Sequence, residues 1–178
     1  MVSLEDFWRM DEIIVTRFGA RFGKKLYKYV DYCGIEPVRH PDEGYFCTPK
    51  NSRTFARTGG DGVHFGIITS DVGLGTKKPI VMTVPMATRN NVVVAENLDE
   101  FFGLGYHVGW DALEQLVYDF EDTICYYSNQ GESLSKRQKT FLEIVREELK
   151  INHVPLTKDR LEELDDKYYK MLNIDSID

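Results

Sequence analysis

The sequence predicts an α+β fold, a mostly antiparallel sheet with an N-terminal helix and C-terminal helices. Three observations lead there. Residues 4 to 32 repeat apolar side chains at helical spacing, residues 45 to 95 hold short branched and aromatic blocks between turn signals, and residues 97 to 174 return to helical spacing. A chain of 178 residues suffices for one well-buried domain and is short for two. It reads as a single domain over 1–178, with a helical segment 3–34, a sheet core 45–95 and a helical part 97–174.

In the first segment Leu4, Phe7, Trp8, Ile14, Val15, Phe18, Phe22, Leu26, Tyr29 and Val30 fall on one helical face. Ser3 is placed to cap it, with Asp6 three residues on. Gly19 and Gly23 each cost about 1 kcal/mol against Ala inside a helix, so a break is expected there, and Gly34 suits the left-handed position after the last turn. Pro37, Pro41 and Gly44 make residues 35 to 44 a loop.

The strand candidates are Tyr45 to Thr48, Thr54 to Thr58, Val63 to Thr69, Ile80 to Val84 and Val92 to Val94. Gly59-Gly60-Asp61-Gly62 predicts a tight hairpin, because these residues accept positive φ at low cost. Residues 70 to 79 form a longer turn. Short connections between consecutive strands imply antiparallel pairing. Asn97 with Glu100 predicts a capped helix bearing Phe101, Phe102 and Leu104 inward, ended by Gly103 and Gly105. A further helix is expected from Asp111 to Phe120, buried along Leu113, Leu116, Val117 and Phe120. Ser135 with Gln138 caps one ahead of Phe141, Ile144, Val145 and Leu149, and Thr157 caps another ahead of Leu161, Leu164, Tyr168 and Leu172.

Several chemistries find little in these residues. His40, His64, His107 and His153 are far apart in the chain, with no Cys-x-x-Cys and no His-x-x-x-His, so no metal is expected. The glycine turn runs into a strand and not a helix start, which disfavours phosphate binding. Cys33, Cys47 and Cys125 have no adjacent base, so no catalytic residue is expected; a small hydrolase with a site near Asp61 and His64, joined by Cys47, stays open as an alternative, as does a regulatory scaffold module. No cofactor is implied. Three scattered cysteines suggest reduced thiols and a cytoplasmic setting, and no apolar run approaches the ~18–20 residues that cross a bilayer.

Charge is more telling. The net charge of −7 disfavours direct nucleic-acid binding. Between Arg89 and Lys136 there is no Lys or Arg, yet Glu96, Asp99, Glu100, Asp111, Glu114, Asp119, Glu121, Asp122 and Glu132 all lie there. These acids either solvate exposed helix faces or form a patch that steers a basic partner. Trp110, in the middle of them, either anchors a helix in the core or offers a hot-spot aromatic to that partner. Tyr126 and Tyr127 add aromatic density nearby.

The blocks Phe55-Ala56-Arg57-Thr58-Gly59-Gly60-Asp61-Gly62-Val63-His64-Phe65, Pro79-Ile80-Val81-Met82 and Val94-Ala95-Glu96-Asn97-Leu98-Asp99-Glu100-Phe101-Phe102 resemble the SUKH superfamily, proteins similar to the yeast cell-wall synthesis regulator and its bacterial relatives. The likeness covers about residues 45 to 105. It implies a non-enzymatic protein-binding domain, of which many bacterial members look like immunity proteins that neutralise nuclease or deaminase toxins. On that reading Asp99, Glu100, Asp111, Glu114, Asp119, Glu121 and Asp122, with Trp110, are the residues expected to meet a basic toxin domain.

Overall fold

A computed structural model describes residues 1–22, 32–40, 44–69, 77–128 and 134–174, with no side-chain description for 18–22. The expected continuation of the first helix through Leu26, Tyr29 and Val30, the break at Gly23, the turn around Asp71 to Gly75, and Glu132 lie outside these residues.

Helix α1 (Leu4–Phe22) begins where Ser3 and Asp6 cap each other reciprocally: the Asp6 N–H donates to Ser3 Oγ (3.1 Å) and the Ser3 N–H to Asp6 Oδ2 (3.0 Å). It passes through Gly19 without a break, since the packing of Phe7, Met10 and Ile14, all fully buried, outweighs one glycine's backbone entropy. The sheet is a five-stranded antiparallel meander in chain order: β1 (Glu36–Pro37), β2 (Ser52–Arg57), β3 (His64–Ile68), β4 (Ile80–Thr83) and β5 (Asn91–Ala95). The fold is therefore α+β, with an N-terminal helix and C-terminal helices.

The hairpin between β2 and β3 turns where expected. Thr58 N–H donates to the Val63 carbonyl (3.0 Å), and Gly59, Asp61 and Gly62 all take positive φ. At Gly62 a Cβ would also lie 2.4 Å from the Tyr45 ring, so the turn closes against that side chain.

Two expectations for this region are corrected. Tyr45 to Thr48 is a turn and not a strand: Thr48 N–H bonds back to the Tyr45 carbonyl, and the segment caps the sheet end through Thr48 Oγ1 on His64 Nε2 (3.1 Å) and the Cys47 carbonyl on Asn91 Nδ2 (3.0 Å). The loop at residues 35 to 44 contributes the short edge strand β1, where Val38 N–H reaches the Phe55 carbonyl (2.8 Å) and Pro37 suits an edge.

Both faces of the sheet are covered, which explains why β3 and β4 are buried at every residue. Phe65, Ile67, Ile80, Met82 and Val94 face the main core with α1, α2 (Leu98–Leu104) and α4 (Lys136–Leu149). The alternate residues Ile68, Val81 and Val93 face Leu164 and Tyr168 of α5 (Lys158–Tyr168). The main core centres on Phe7, Phe55, Phe65, Phe101, Phe102 and Trp110, whose neighbouring rings meet edge-on or tilted at centroid distances of 4.9–6.1 Å.

The caps of α4 and α5 are as read. Ser135 and Gln138 form a full capping box, and Thr157 Oγ1 accepts from the Arg160 N–H. At α2, Asn97 accepts from the Glu100 N–H, but Glu100 reaches back to the N–H of Glu96, one residue before the cap.

The expected helix from Asp111 to Phe120 is a 3-10 segment, Asp111–Val117, followed by a separate helix α3 (Phe120–Ser128). Asp119 splits them: its Oδ1 accepts from the Asp122 N–H (3.2 Å), so a new helix starts there. Among the described residues no helix is long and apolar enough to cross a membrane.

Candidate functional site

The region from Gly105 to Ser128 has a fixed inner edge and an open outer one. A Cβ on Gly105 would lie 2.1 Å from the Trp110 indole, so only glycine lets the chain turn this tightly over that ring. Trp110 Nε1 donates to the Phe101 carbonyl (2.8 Å), its N–H to the Cys33 carbonyl (2.6 Å), and the Tyr127 hydroxyl to the Gly109 carbonyl (3.0 Å). Burial holds the Tyr127 phenol protonated, far above its ordinary pKa. With Leu113 and Leu116 also buried, the other side of the segment is turned to solvent. It presents Asp111, Tyr118, Asp119, Glu121, Asp122 and Tyr126, all exposed. Tyr118 is 57% and Tyr126 is 37% exposed, the latter with its ring edge-on to Tyr127.

The structure separates the eight residues expected to contact a partner. Asp111, Asp119, Glu121 and Asp122 stand on this outer face, with Glu114 half-buried at its margin. Among the described residues Glu121 pairs with Lys158 Nζ, at 3.6 Å. Asp99 is half-exposed on α2 and accepts the Val2 N–H at 3.1 Å.

Glu100 is turned inward instead, where its carboxylate takes Arg160 Nε (2.7 Å) and Nη2 (3.1 Å). Trp110 is fully buried, so of its two readings the core anchor is the one realised and the partner contact is corrected. Local sequence could not separate these roles, because Arg160, which pairs with Glu100, and Cys33, which holds the Trp110 backbone, lie far along the chain. Tyr118 was missed; its signal is that it falls between Leu116 and Phe120, off the buried spacing of the segment.

The alternative site also has a definite place. Asp61 and His64 both line a cavity of about 510 Å³ between the 59–62 turn, Tyr45, Glu36 and Arg57. His64 Nδ1 lies 2.7 Å from the Gly62 carbonyl, which fixes the proton on that nitrogen and leaves Nε2 to accept from the Thr48 hydroxyl. Burial lowers its pKa, with the Gly62 carbonyl partly opposing. Both ring nitrogens are thus engaged, Nε2 with the 45–48 turn and Nδ1 with the 59–62 turn. Cys47 is buried and not part of the cavity wall, and burial raises its thiol pKa, the reverse of what a nucleophile needs.

Compared with known proteins, the chain matches no family model, no curated protein and no solved structure.

Proposed function

We propose that this chain is a non-enzymatic protein-binding domain of the immunity-protein kind, SUKH-like, which neutralises a basic nuclease- or deaminase-type toxin. One observation carries the reading: Asp119, Glu121 and Asp122 stand exposed on one helix start with Tyr118 and Tyr126 among them, in a stretch of chain that has no Lys or Arg of its own. Tyrosine is a favoured interface residue because it offers apolar area and a polar tip at small entropic cost. Carboxylates beside it select a basic surface and speed the encounter. A toxin surface that grips nucleic-acid phosphates carries the Lys and Arg that such a face would occupy.

The test is to place a photo-crosslinking residue at Tyr118 or Tyr126 in the source cells, identify the attached protein, and co-express it with the chain. A basic domain that damages nucleic acid or bases, and whose toxicity the chain relieves, is the expected result. Crosslinks only to acidic proteins, or a toxicity unaffected by the chain, would defeat the proposal.

The second reading, a small hydrolase at Asp61 and His64, is supported by their shared cavity. It predicts an ester- or amide-cleaving activity abolished by His64→Gln, whereas the immunity reading predicts none.

A further inference from the structure

His107 and His153, distant in sequence, are neighbours in the fold. His107 lies in the turn after α2, and His153 in the connection between α4 and α5. That connection is fastened to the end of α2, where the Val154 N–H donates to the Gly103 carbonyl (3.0 Å) and Gly103 has no room for a side chain. Tyr106 packs edge-on to both imidazoles, at 4.8 and 6.0 Å, and its carbonyl accepts from Arg146 Nη1 (2.9 Å). The two imidazole centroids are 4.7 Å apart with planes inclined by 56°. Both rings border a cavity of about 120 Å³ shared with Tyr127 and Ser128. Neither ring has a hydrogen bond to any other described residue.

We propose that His107 and His153 form a two-imidazole site for a late first-row divalent cation, Zn²⁺, Ni²⁺ or Cu²⁺, with water completing the coordination. The spacing is the first argument. A metal bound ~2.0–2.1 Å from a ring nitrogen lies about 3.2 Å from that ring's centre, so two imidazoles about 95° apart on one ion have centres about 4.7 Å apart. The second argument is chemical. Imidazole nitrogen suits these cations, and the ligand must be neutral.

No group of three or more His, Cys, Asp or Glu side chains converges among the described residues, so the chain offers two ligands and an open site. The Arg146 guanidinium opposes the cation. Affinity is therefore below that of a closed four-ligand structural site. The occupied site would tie the end of α2 to the α4–α5 connection, beside the Tyr127 hydroxyl that holds Gly109.

The test is calorimetric titration with Ni²⁺, using a Cys125→Ser parent to remove the exposed thiol, and His107→Gln and His153→Gln in that background. The parent should bind one equivalent. Each histidine replacement should weaken binding by at least the about 10-fold that loss of an outer-shell partner costs. No binding by the parent, or affinity unchanged from the parent in either variant, overturns the site. Should circular dichroism show a variant unfolded, Cu²⁺ paramagnetic resonance of the parent decides: coupling to two nitrogens supports the site, and coupling to fewer overturns it.

Discussion

At the seam between the sheet and α5, carboxylates are drawn inward and saturated; on the outer side of the 3-10 segment and α3, they stand in solvent. Glu96 is buried and accepts from Lys167 Nζ (2.6 Å), the Tyr168 hydroxyl (2.5 Å) and Lys77 Nζ. Glu100 beside it holds Arg160, which also pairs with Glu163 (2.6 Å). These acids join β5 and α2 to α5, and their charge is consumed by the fold. Among the described residues Asp119 and Asp122 pair with no cation and Glu121 meets Lys158 at 3.6 Å, so their charge stays in solvent. In the sequence all five belong to one acid-only stretch. The contrast shows that acid density marks neither stability nor binding until the cations supplied from elsewhere in the chain are placed.

The largest expected effect falls on the seam. Replacing Glu96 by Gln should lower unfolding free energy by about 2 kcal/mol, the range for hydrogen bonds to a charged group; half-exposure of Lys77 and Lys167 keeps it from being larger. Urea denaturation measures it.

The pH dependence follows from the same contacts. Burial alone would raise the Glu96 pKa, but the bonds from Lys167, Lys77 and Tyr168 outweigh it and bring it to about 2 from 4.5. Because the folded value is the lower one, this stabilisation is present above the unfolded value and is lost as pH falls from about 4.5 to about 2. Glu96→Gln should remove that part of the acid slope. An unchanged slope would mean that the seam does not hold its charge.

A smaller loss, about 1–1.5 kcal/mol, is expected for Glu100→Gln, which keeps the reach to the Glu96 N–H but gives up the charged pairing to Arg160. Thermal unfolding with a lowered Tm checks it.

Smallest in stability is the triple change Asp119→Asn, Glu121→Gln, Asp122→Asn. Asn still caps α3, and the loss is confined to about 0.5–1 kcal/mol from the helix dipole. A loss as large as that of Glu96→Gln would erase the distinction between the two regions.

The sequence made the local devices readable. Ser3, Asn97, Ser135 and Thr157 each act within one helical turn, and the 59–62 hairpin within one turn of chain, so residue type and spacing suffice. What depended on distant partners did not show. Tyr45 to Thr48 has strand-forming residues, but its bonds to His64 and Asn91 bend it into a cap. β1 carries Pro37 and hides because two residues against β2 leave no periodicity. Asp111 to Phe120 carries a continuous apolar spacing, and the Asp119 cap that interrupts it was read only as surface charge. At the site, the exposed carboxylates were legible as a group. The inward turn of Glu100, the burial of Trp110 and the meeting of His107 with His153 required the fold.

The most direct measurement is titration calorimetry of the crosslinked basic partner against the native chain and the Asp119→Asn, Glu121→Gln, Asp122→Asn variant, each at low and at physiological salt. Affinity should be at least about 10-fold weaker in the variant, equivalent to about 1.4 kcal/mol, with a shallower fall with salt because fewer charges remain to be screened. Equal affinity and an equal salt dependence for the two proteins would contradict this and remove the acidic face from the mechanism.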